Sequence, residues 1–118
     1  MTPASLQAML EREQAHTRAR FHLDDALGTH HGLSWADFVL LEHLEGEPAG
    51  VPEAKLADKL GLLRSRLLAR VRPLEKLGLV SRAVDDADRP LKLSPAGRHL
   101  LKEARATAAS ACAELSVS

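Results

Sequence analysis

A single cysteine, Cys112, no tyrosine, and only Phe21, Trp35 and Phe38 as aromatic residues exclude several classes of protein at once. One thiol builds neither a disulfide framework nor a thiolate metal cage. So few rings argue against an aromatic stacking platform for single-stranded nucleic acid. The core must come from Leu, Val and Ala, which suits closely packed helices. Apolar stretches run only a few residues, so no segment is expected to span a membrane. The opening MTPASLQAMLERE lacks the basic start and apolar run of a secretion signal, and a cytoplasmic location is expected. Net charge is missing too, since 16 Lys and Arg balance 16 Asp and Glu. There is no nucleophile–base pairing, phosphate-cradling glycine loop or carboxylate pair at a recognisable spacing. No enzymatic chemistry and no cofactor is expected.

What is present is an uneven distribution of that charge. The 118 residues are the length of one domain. Residues 1–52 carry eight acids against three bases, whereas residues 53–82 carry eight bases against three acids. Residues 83–118 balance at five of each. A neutral chain with its cations gathered into thirty consecutive residues points to a cationic working face.

Periodicity and turn residues divide the chain into helices and one hairpin. A first helix is expected over 3–28, ended by Gly28 and the GTHHG stretch. Ser34 reads as an N-cap, with Asp37 three residues on, for a second helix carrying Trp35, Phe38, Val39, Leu41 and Leu44. EGEPAG (45–50) is a turn. Glu53 opens a short third helix that Gly61 breaks, and a fourth runs from about Leu63 to Leu77 with Leu67, Val71 and Leu74 on its buried face. Pro73 removes the bond to the carbonyl of Ala69 and is expected to bend or end that helix. A hairpin follows: a strand from Leu79 to Val84, a DDAD turn (85–88) and a strand from Leu91 to Leu93. Ser94-Pro95 starts a final helix to about Leu115. Its residues Leu101, Ala104, Ala108, Ala111 and Leu115 form a heptad-like seam with little else in the chain to cover it. A second copy is therefore expected there, with Leu6 and Leu10 of the first helix at the same dimer interface.

Helix, short helix, glycine, basic helix, hairpin, helix is the order of a winged helix-turn-helix. The expected fold is mainly α with a small β-hairpin wing over 79–93. A winged helix-turn-helix over 34–93 is flanked by dimerisation helices at 3–28 and 95–115, all in one domain spanning 1–118. GLSWADFVLLEHL (32–44), LADKLGL (56–62), LEKLGLVSR (74–82), DDADR (85–89) and LSPAGRHLL (93–101) occur in this order. On these segments, over roughly residues 20–105, the sequence resembles the MarR family of bacterial transcriptional regulators. The resemblance implies a homodimer on a palindromic operator of double-stranded DNA, usually a repressor relieved by a small-molecule effector or by oxidation.

Carried over by position, the resemblance places Arg64, Ser65 and Arg66 at the front of the recognition helix and Arg89 at the wing tip. Arginine suits both places, because its planar fork bonds a guanine edge or fits a narrow minor groove. Arg72, Lys76, Lys55 and Arg82 are expected on backbone phosphates. Arg70 is either a DNA contact or a partly buried partner of a carboxylate, and Arg89 either touches DNA or pairs with Asp86 or Asp88. Phe21, Trp35 and Phe38 are candidates for an effector pocket, with ordinary core packing as the alternative. Six histidines include no pair at i, i+4 spacing, so no metal site is expected. Cys112 has no nearby base to activate it and reads as an interface thiol. The rival to DNA binding is a winged helix serving protein interaction, supported by Leu63 at the helix cap, by Pro73 and by the acidic wing tip.

Overall fold

The computed structural model describes residues 3–83 and 88–117. Among them α1 spans Ala4–His31, α2 Trp35–Glu45, α3 Glu53–Leu60, α4 Arg64–Lys76 and α5 Pro95–Val117. β1 (Val80–Arg82) and β2 (Leu91–Leu93) pair antiparallel, with Val80 opposite Leu93 and Arg82 opposite Leu91. This is the expected mainly helical fold with a hairpin wing. No helix among the described residues is long and apolar enough to cross a membrane. The backbone divides into two compact units, one made of the residues through Trp35 with those from Ala104 on, the other of Ala36–Glu103.

In the first unit, α1 runs past Gly28 and stops at Gly32 instead. Gly32 takes the left-handed conformation at φ 68° and donates its N–H to the Gly28 carbonyl, while Leu33 N–H reaches Leu27. Both glycines can supply that conformation; the buried Leu33 that follows Gly32 gives the second stop its apolar anchor. The Asp24 carboxylate accepts a hydrogen bond from the Trp35 N–H at 2.6 Å, so an acid from α1 satisfies an amide next to the expected Ser34 cap. Leu23 and Leu27 are the buried residues of α1, whereas Leu6, Met9 and Leu10 are about half exposed.

The expectation for α5 needs correction. Leu101, Ala104, Ala108 and Ala111 are buried within the single chain, so most of the seam does not wait for a second copy, and Leu115 is only partly exposed. Small side chains allow α1 to come close: His31 and Thr107 share a 2.7 Å hydrogen bond, and His22 Nε2 lies 2.8 Å from Glu114 Oε2. Cys112 is exposed on α5.

In the second unit Phe38, Leu40, Leu41 and Leu44 of α2 pack in a core with Leu56, Leu67, Val71, Leu74, Leu91 and Leu93. Pro73 does not end α4, which continues to Lys76. The missing bond falls on the carbonyl of Ala69, a residue exposed to water, where solvent can replace it. Val51 joins the wing, exchanging two backbone hydrogen bonds with Leu91 at 2.8 and 2.9 Å. Ser94 lies where two helices meet. Its Oγ accepts from Gly97 N–H as the cap of α5 and donates to the Gly78 carbonyl beyond the end of α4, at 2.9 and 2.6 Å. Gly97 must stay bare, since a Cβ there would collide with the Leu79 carbonyl oxygen.

Gly50 combines φ +99° with a close approach, and an added Cβ would come within 2.9 Å of Pro90. Gly50→Ala is therefore expected to cost about 1–3 kcal/mol and to lower the thermal midpoint by several degrees in a circular dichroism melt. Gly46→Ala, which meets open space, is the matched control and should change little. Equal midpoints for the two variants would show that the Gly50–Pro90 approach is not constraining.

Candidate nucleic-acid interface

The second unit's basic helix is built on a three-residue stripe. Leu67, Val71 and Leu74 follow i, i+4, i+7 spacing and are buried as α4 packs on α3 and β1. Burial of each contributes about 1.5–3 kcal/mol, which fixes the rotation of the helix. At 100° per residue, Ser65, Ala69, Arg72 and Lys76 then lie opposite the stripe, with Arg66 and Arg70 on one flank and Arg64 on the other. All of these residues are exposed. Among the described residues Arg66, Arg70, Arg72 and Lys76 have no ion-pair partner, so the carboxylate alternative for Arg70 does not hold. Lys55 on α3 is exposed as well.

The turn before α4 is closed by backbone alone. Gly61 is left-handed, with its N–H on the Asp58 carbonyl and Leu62 N–H on Ala57. Leu63 occupies the N-cap without a side-chain hydrogen bond and is largely exposed.

Arg82 departs from its expected place. It does not face solvent as a phosphate contact; its Nη1 donates to Glu53 Oε1 at 2.5 Å and its Nη2 to Glu75 Oε1 at 3.3 Å. The same Glu53 accepts from Arg64 Nε through Oε2 at 2.9 Å. Side-chain exposure decides how these pairs differ: 13% for Glu53 and 18% for Arg82, but 71% for Arg64. Glu53 and Arg82 form a largely buried pair, and Arg64 reaches in from outside. The Arg82 hydrogen bond outweighs burial and, with Arg64, holds the Glu53 carboxyl below its ordinary range. Arg82 is raised in turn, chiefly by its hydrogen bond to Glu53. Sequence reasoning missed both acids. The available signal was that Glu53, Asp58 and Glu75 are the only acids in the cationic stretch.

Of the wing, the expected strand end at Val84 and the turn residues Asp85, Asp86 and Ala87 lie outside the described residues. Asp88 helps line a cavity of about 300 Å³ with Pro52, Glu53, Ala54 and Arg64. Arg89 is exposed and has φ +42°, a left-handed conformation uncommon for a residue with a side chain.

The aromatic candidates do not gather at one cavity. Phe21 is 78% exposed in a groove that it shares with Gln14, Thr17 and Arg18 of α1. Phe38 is 7% exposed in the core of the second unit, as the packing alternative expects, and Trp35 is half-buried. A different cavity of about 500 Å³ lies in the first unit, with His30, His31, Thr107, Ser110 and Glu114 in its wall. Among the described residues no cluster of His, Cys, Asp and Glu is arranged to hold a metal ion.

No family model matches the chain, and no curated protein matches it by sequence. Solved structures do. Rv2887 of Mycobacterium tuberculosis, a MarR family protein, is 31% identical, with 95% of this chain and 79% of that one covered at a TM-score of 0.77. The chain belongs to the MarR family. BldR, a transcriptional regulator from Sulfolobus solfataricus, is 28% identical, covering 94% of this chain and 81% of that one at a TM-score of 0.81. The structure of Rv2887 in complex with DNA matches at 28% identity over 98% of this chain and 83% of the other, with a TM-score of 0.75. As a MarR-family winged helix, the chain presents exposed cations on the helix that follows the turn and at Arg89, just ahead of β2.

The Glu53 pairs set an acid-sensitive term in stability. A carboxyl whose folded pKa is depressed stabilises fully above its unfolded value, and that contribution disappears as pH falls through the folded value. Wild type is expected to exceed Glu53→Gln by about 1–3 kcal/mol near neutrality, between the ranges for exposed and buried pairs. The gap should shrink as pH is lowered from about 6 to about 3. Urea unfolding of both proteins across that range measures it, and a constant gap contradicts the assignment.

Proposed function

We propose that this MarR-family protein is a transcriptional regulator that binds duplex DNA as a homodimer. The helix α4 enters the major groove, and the β1–β2 wing lies against the minor groove or backbone. The observation that carries this reading is the solvent side of α4: Arg72 and Lys76 opposite a buried apolar stripe and Arg66 and Arg70 on its flank, all exposed and without an ion-pair partner among the described residues. Helices of this kind read base edges with their leading residues and meet phosphates further along. Arg64, Ser65 and Arg66 are the leading residues, Arg70, Arg72, Lys76 and Lys55 supply backbone contacts, and the wing's Arg89 meets the minor groove. That Rv2887 is known in complex with DNA supports DNA as the partner.

Dimerisation is supported by Leu6, Met9 and Leu10, an exposed apolar stripe at i, i+3, i+4 on α1. A twofold then sets two recognition helices about 34 Å apart, matching a palindromic operator. Repression relieved by a small molecule completes the proposal. Rv2887 is also known in complex with salicylic acid and with p-aminosalicylic acid, so aromatic carboxylates are the first effectors to test. Exposed Leu63 favours a second reading, docking of a protein partner at the turn, which requires no DNA affinity.

Fluorescence anisotropy with the promoter duplex of the neighbouring gene and a scrambled duplex tests the reading. Arg66→Ala is expected to lose about 1–3 kcal/mol on the promoter and to discriminate less between the two duplexes. Lys76→Ala should weaken both duplexes alike and reduce the salt slope by about one. Absence of binding by the wild type even at low salt overturns DNA recognition and favours the protein-docking reading.

A further inference from the structure

We propose that Glu53 is a positioning residue for DNA recognition, holding the Arg64 guanidinium by its Nε edge so that its two terminal nitrogens are presented to the duplex. The proposal rests on the DNA-binding reading above and adds an acid to a surface otherwise defined by cations.

Three observations support it. Glu53 is itself fixed: it begins α3, is 13% exposed, and is gripped through Oε1 by Arg82 of β1, which Glu75 near the end of α4 holds in turn. Its remaining oxygen, Oε2, takes the Nε–H of Arg64 at 2.9 Å. Arg64 stays 71% exposed, so the bond orients its head without hiding it. A free arginine must freeze several rotatable bonds on meeting a base edge. One already anchored at Nε loses less, and only Nη1 and Nη2 remain for a bidentate contact. Glu53 therefore narrows how Arg64 can approach DNA to an end-on geometry.

The carboxylate also carries a charge of the wrong sign for phosphate. Its removal should strengthen sequence-independent binding, which follows the count of positive charge, while weakening discrimination, which follows geometry. A residue that merely supported the fold would move both affinities downward together.

Anisotropy titrations of the full chain with the promoter and scrambled duplexes separate these outcomes. For Glu53→Gln, the ratio of promoter to scrambled affinity is expected to fall on the order of tenfold, the value of one well-formed bidentate contact, while scrambled-duplex affinity holds or rises. In an Arg64→Ala background the same substitution should leave the ratio unchanged, because its effect runs through Arg64. A parallel loss on both duplexes, an unchanged ratio, or a further fall in the Arg64→Ala background overturns the proposal. Should Glu53→Gln fail to fold, the wild type still decides: its Arg64 Nε–H signal in a nitrogen–proton spectrum at neutral pH is expected to persist, protected by the carboxylate. Loss of that signal to solvent exchange overturns the proposal. Wild type that discriminates between the duplexes, with Glu53→Gln that does so equally well, sinks the role of Glu53 alone. Wild type that binds neither sinks the DNA-binding reading itself.

Discussion

Burial of Leu67, Val71 and Leu74 is the constraint on which the cationic face of α4 depends. A thirteen-residue helix that carries Arg64, Arg66, Arg70, Arg72 and Lys76 has one stripe it can take out of water, and taking it out leaves no freedom in where the cations go. The gain from three apolar side chains thus sets the direction of five charged ones. Like charges crowded on one short helix repel, and the helix tolerates them because packing on α3 and β1, not intrinsic propensity, holds it.

The acids near this helix are distributed in keeping with that arrangement. Glu75 and Glu53 are turned toward Arg82, so the negative charge of the cationic stretch is spent largely inside the unit and not on its outward face. Arg82 joins the wing strand to α3 and α4, and a cation that looked like a surface contact proves to be part of the scaffold. The neutral total of the chain conceals this sorting, because it gives a buried pair and an exposed cation equal weight.

Elements whose evidence is local were legible in the sequence. The stripe of α4, the Ser94-Pro95 start of α5 and the break of α3 at Gly61 follow from spacing and side-chain chemistry within a few residues. Where two local solutions competed, long-range packing decided: Gly28 and Gly32 both permit a helix end, and buried Leu33 selects the second. The α5 seam was recognised as apolar, but its cover was not, since periodicity says that Ala104, Ala108 and Ala111 share a face without saying what lies on it. Glu53 escaped for a similar reason. Its partners are 11 and 29 residues away, and no pattern along the chain records a carboxylate shared between two arginines.

Ser94 has a consequence for how two helices are joined. One hydroxyl satisfies the amide of Gly97 and the carbonyl of Gly78, and the Ser94 N–H adds a bond to the Leu79 carbonyl, so the front of α5 is tied at two adjacent peptides to the segment that leaves α4. The link is a short cut, since along the chain the same two points are separated by the β1–β2 hairpin. Gly78 meets it in the left-handed conformation, at φ +77°, which glycine adopts without side-chain strain.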